Sequence, residues 1–87
     1  MSVIVEFENE RVRVSRAKHG KHEKHPSVTR GDRLIVYLDD GEVVREEGGK
    51  KQTIRHKRGE VVWRAHSTHE IANALDAPHE ALIVELK

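Results

Sequence analysis

The sequence predicts an all-β domain of about eight strands with little or no helix. Short apolar runs rich in Val and Ile recur along the whole chain, and such side chains suit the pleated, half-buried surface of a sheet. Between them, "DDG" at residues 39–41 and "EGGK" at residues 47–50 carry the residues of tight hairpins, where positive φ is cheap only for Gly and its near substitutes. Helical periodicity is nearly absent.

Taken in order, residues 3–7 (VIVEF) open the chain as an apolar strand, and residues 11–16 (RVRVSR) alternate Val with polar side chains, the pattern of a half-buried strand. Residues 28–38 form the longest run and are read as one continuous strand. Residues 42–46 and 52–56 flank the "EGGK" turn and make a hairpin with a polar outer face. Residues 61–65 (VVWRA), 70–74 and 80–86 complete the set, with "RG" at 58–59 and "DAP" at 76–78 as further turns. No repeat, low-complexity stretch or linker divides the chain, so residues 1–87 are expected to form a single domain. Many short antiparallel strands at even spacing mean a sandwich, jelly roll or barrel, and such folds often enclose a small ligand cavity.

Composition narrows the partners. Sixteen Lys and Arg against fifteen Asp and Glu, with the signs interleaved, leave no basic face for nucleic acid. With no Cys, a metal would need His and carboxylates. The start "MSVIVEFENE" has a five-residue apolar patch before its acids, neither a signal peptide nor a spanning helix, so a cytoplasmic protein with no membrane partner is expected. One Phe, one Trp and one Tyr make a thin, aliphatic core, which favours a homodimer, with residues 2–7 as the strand that would extend a sheet.

From Gly59 onward, "GEVVWRAHSTHEIANALDAPHEALIVELK" resembles the second half of a small bacterial cupin: Gly59, Trp63, the Thr68-His69 pair, Asn73 four residues after His69, and a closing "VELK". Working backwards, Gly20, Glu23-Lys24, Asp32, the apolar residues 34–38 and Asp40-Gly41 find counterparts in the group's first motif, so the likeness spans residues 12–87. It implies a double-stranded β-helix, the cupin jelly-roll barrel, open at one end. That fold hosts isomerases, dioxygenases, epimerases and plain binding modules, so function does not follow from it.

In this register the two metal-binding histidines of the family's first motif fall on Val28 and Arg30, and only the second-motif histidine survives, as His69. One imidazole does not hold a catalytic divalent ion, so the resemblance implies a degenerate metal site with no cofactor expected. The alternative is a Zn, Ni, Fe or Mn site that uses His69 with His22, His25 or His66. The remaining histidines are read as solvated residues among Lys and Glu.

Strand parity then selects a cavity lining. Val28, Arg30, Asp32, Leu34, Val36 and Leu38 would share one side of a continuous strand, with Arg33, Ile35 and Tyr37 on the other. Val61, Trp63, Ala65, Ser67, Ile71 and Asn73 would share a side with His69. The expected ligand contacts are therefore Arg30, Val28, Val36, Leu38, Trp63 and Asn73, with Arg30 either an anion anchor or paired with Asp32. If the protein is an enzyme, His69 is the candidate acid or base and Arg30 the charge stabiliser of a metal-free isomerase or lyase acting on a small anionic or carbonyl compound. Two other functions remain open: a His-ligated metalloenzyme (dioxygenase, isomerase or hydrolase) and a non-catalytic dimeric interaction module.

Overall fold

A computed structural model describes residues 2–87, and every described element is a strand. In chain order they are β1 (Ser2–Glu8), β2 (Val12–His19), β3 (Lys24–Arg30), β4 (Arg33–Tyr37), β5 (Gly41–Glu47), β6 (Lys50–His56), β7 (Val61–Arg64), β8 (Ser67–Asn73) and β9 (His79–Leu86). A five-stranded sheet in the order β1-β2-β9-β4-β7 faces a four-stranded sheet in the order β3-β8-β5-β6. All pairings are antiparallel.

The hairpin β5–β6 closes on Gly48 and Gly49, both at positive φ (59° and 79°), with Glu47 paired to Lys50. Two residues at positive φ make the turn whose twist matches the flanking strands, which is why two glycines stand there.

Nine strands replace the expected eight because the run 28–38 is not one strand. The chain leaves the four-stranded sheet after Arg30, crosses at Gly31-Asp32, and enters the five-stranded sheet at Arg33. Side-chain alternation restarts at such a crossing, so Arg33, Ile35 and Tyr37 point inward together with Val28 and Arg30. The same happens at Ala65-His66, between β7 and β8.

The interior is not a packed aliphatic core. The buried apolar side chains are Ala17, Tyr37, Val43, Ala81 and Ile83, while Ser15, His19, Arg33, Arg45, His56, Ser67, His69, Asn73 and His79 are buried as well. Polar groups outnumber apolar ones inside, the composition of a barrel built around a site. No helix among the described residues is long and apolar enough to cross a membrane.

Candidate functional site

The space between the sheets holds a cavity of about 80 Å³. On the scale where one water needs roughly 10–15 Å³, it has room for about six waters or one small molecule. Register orders its lining into levels. At one end, Arg33 and Arg64 are cross-strand partners, Arg33 also opposes Glu85, and Arg30 opposes Ser67 on the facing sheet. The middle is mostly apolar, with Ile35, Ile83, Ala81, Val43, Ile54 and Ile71. At the other end His19 and His79 pair across β2 and β9.

Four guanidiniums reach this cavity: Arg30, Arg33, Arg45 and Arg64. Arg30 Nη1 bonds Glu85 Oε1 at 3.1 Å, and Arg45 Nη2 bonds Glu47 Oε1 at 2.9 Å. Among the described residues Arg33 makes no ion pair, although Glu85 stands opposite it and acts on its charge. Its Nη1 donates to the carbonyls of Gly31 and Ala65, and its Nη2 to Ser67 Oγ. Arg64 makes no ion pair among the described residues, although it stands directly opposite Arg33. Burial, then the neighbouring Arg45 and Arg30, lowers the pKa of Arg33, but a guanidinium stays charged in proteins.

Ser67 Oγ is a hub. Arg33 Nη2 (3.4 Å) and Arg45 Nη2 (3.0 Å) can only donate to it, so its one proton goes to His69 Nδ1 at 3.1 Å. That places the ring proton of His69 on Nε2. Burial, reinforced by Arg45, Arg33 and Arg30, pushes the His69 pKa down to about 4, so the ring is neutral near pH 7. His69 thus has its only lone pair engaged by Ser67 and presents an N–H donor.

Of the residues singled out in the sequence, Val28, Arg30, His25 and His69 come together on the cavity. Arg30 is paired with Glu85 and not Asp32, whose Oδ1 instead accepts the His66 amide at 2.8 Å. Val36 and Leu38 lie outside the cavity because parity resets at Gly31-Asp32, and Tyr37 takes their place inside. Trp63 points outward and is 52% exposed, for the same reason at Ala65-His66. Asn73 is buried as a loop clasp, donating to the Gly20 and Ala77 carbonyls and accepting from the Leu75 amide. His22 and His66 are exposed, His22 at positive φ beside Asp76.

Three histidines read as solvated are buried instead. His19 and His79 have ring centroids 5.0 Å apart, His79 and His56 5.2 Å, and His56 stacks on Tyr37 at 3.7 Å. Burial lowers all three pKa values, His19 to about 4. The alternation Ser15, Ala17, His19 was the signal that would have placed His19 inside.

The cupin fold often carries a metal held by several histidines. The positions that the sequence resemblance sets against those histidines hold Val28, a guanidinium already paired with Glu85, and one imidazole engaged by Ser67, a set that does not fit a divalent cation. Among the described residues no group of three or more His, Asp or Glu side chains is arranged to hold a metal ion.

Two facing antiparallel sheets joined in this order, enclosing a polar cavity, are the double-stranded β-helix of the cupins. A cupin domain from Bordetella pertussis superposes with a TM-score of 0.94 at 22% identity, over 99% of this chain and 92% of that one. A cupin superfamily protein from Desulfitobacterium hafniense gives 0.73 at 24% identity, over 98% and 75%. An RmlC-like cupin family protein with a double-stranded β-helix fold from Methanocaldococcus jannaschii gives 0.76 at 14%, over 98% and 78%. No family model and no curated protein matches the chain.

Proposed function

We propose that the protein binds a small dianion, a phosphate group or a short dicarboxylate, inside the barrel. The observation that carries this is the pair Arg33 and Arg64, two arginines directly opposite on adjacent strands that both line the cavity and make no ion pair among the described residues. Like charges in that relation repel, and an anion between them relieves the repulsion. Four cavity guanidiniums against the two carboxylates Glu85 and Glu47 leave two positive charges uncompensated, the count that suits a dianion. His69, as a neutral donor beside them, adds a hydrogen bond without accepting a proton, so the reading is recognition and not acid-base catalysis.

Calorimetric titration with inorganic phosphate, with malonate and with acetate, at matched ionic strength, tests it. Phosphate or malonate should bind in a 1:1 ratio at least tenfold more tightly than acetate, and Arg64→Met should remove the preference. Equal, weak binding of all three would sink the proposal.

A further inference from the structure

Beyond the arginines the cavity runs through its apolar middle to a second polar end, and that end is built from uncharged groups. His19 and His79 are cross-strand partners on β2 and β9, both line the cavity, and each is more than nine-tenths buried. No described residue hydrogen-bonds His19 Nε2 or either nitrogen of His79. The two rings stand 5.0 Å apart between centroids, tilted by 47°, and do not bond each other. His56, which packs against His79 and stacks on Tyr37, does not line the cavity. Buried polar atoms without a partner are rare, so two such rings on one cavity wall point to a group that completes them.

We infer that the anion held by the arginines is one end of a short chain whose other end is a hydroxyl seated between His19 and His79. This rests on the anion reading above and adds the far end of the ligand. Burial keeps both rings neutral, His19 with its pKa down at about 4, so each offers one N–H donor and one lone pair. A hydroxyl answers both, because it donates and accepts. A second carboxylate would only accept, and it would bury a charge where no cation lines the wall. An ammonium would only donate, in a cavity that already holds four guanidiniums. Nor are the rings arranged for a metal ion among the described residues. The level between the two ends suits methylenes: Ala17 and Ala81, partners next to the histidine pair, are the smallest side chains of the lining, and Val43 and Ile54 pair on the facing sheet. A cavity with room for about six waters limits the chain to a few carbons.

Matched pairs of ligands isolate the hydroxyl. The intact protein is titrated calorimetrically with n-alkyl phosphates of about two to five carbons and with the same chains carrying a terminal hydroxyl, with inorganic phosphate as reference, the range set by the room in the cavity. At one chain length the hydroxylated ester should bind about three- to tenfold more tightly than its alkyl counterpart, the worth of one hydrogen bond between neutral groups. His79→Leu should bring the two affinities together by weakening the alcohol. If that variant loses its β-sheet circular dichroism, His19→Leu serves the same purpose. Phosphate binding with no hydroxyl preference at any length would overturn this inference and leave the anion reading standing, as would a preference that survives in the folded variant. Failure of every phosphate to bind would overturn both.

Discussion

Val28 stands directly opposite His69 across the β3–β8 ladder, and two residues along the same strand Arg30 stands opposite Ser67. An isopropyl group and a guanidinium therefore occupy two same-facing positions beside the buried imidazole of His69.

Replacing Val28 and Arg30 together by His should build a metal site, because two same-face imidazoles then adjoin His69 and the Glu85 carboxylate is freed from its guanidinium. Titration with Ni²⁺ should give 1:1 binding at least tenfold tighter than to the wild type. Tight stoichiometric binding by the wild type that disappears in His25→Ala would contradict the present account of the site.

Glu85→Gln should have two opposite effects. The Arg30–Glu85 pair is mostly buried, so its loss should cost about 2 kcal/mol in urea unfolding, below the range for a fully buried pair. The cavity meanwhile gains an uncompensated guanidinium, so phosphate should restore more stability to this variant than to the wild type. Equal stabilisation of both would separate Arg30 from the anion site.

Stability should rise with pH between about 4 and 6.5. The folded pKa values of His19 and His69, both about 4, lie below the ordinary 6.5, so in that window the unfolded chain binds more protons. The stabilisation is complete above pH 6.5 and is lost as pH falls toward 4, on the order of 3 kcal/mol for each ring. His56 and His79, also lowered by burial, act in the same sense. Denaturant midpoints measured from pH 4 to 8 should trace this slope, and His19→Gln should flatten it; a profile flat across the window would refute the burial of these rings.

Gly41→Ala should destabilise the barrel by about 1–3 kcal/mol. A Cβ at position 41 would lie 2.5 Å from His56 Nε2, and that ring is buried and stacked on Tyr37, so it has nowhere cheap to go. The loss should shrink when Gly41→Ala is combined with His56→Ala, a coupling that thermal melts of the three variants would resolve. Additive losses would mean that the two positions do not touch.

Much of the fold was legible because strand preference and hairpin chemistry are local. The Val and Ile runs, the Gly48-Gly49 turn and the absence of helix all follow from neighbours in sequence. The cavity lining was legible only up to Arg30, since parity carries across a strand but not across a change of sheet. Gly31-Asp32 and Ala65-His66 look like ordinary polar interruptions, and nothing local says that the chain changes layers there. That is why Tyr37, Arg33 and Arg64 were missed and Val36 and Trp63 were chosen. His56 and His79 were missed for another reason: among Lys, Arg and Glu an imidazole reads as polar, while the barrel uses it as a flat ring against Tyr37 and a second imidazole.

β9 lies between β2 and β4, at the centre of the five-stranded sheet, although it follows both of them at a distance in the chain. Until His79–Leu86 has docked, β2 and β4 have no common neighbour and the five-stranded sheet stays open between them. Folding is therefore dominated by distant pairings, which makes it slow for a chain of this length. Throughout that delay the edges of β2 and β4 that β9 will cover stay unpaired, and open strand edges are where aggregation starts.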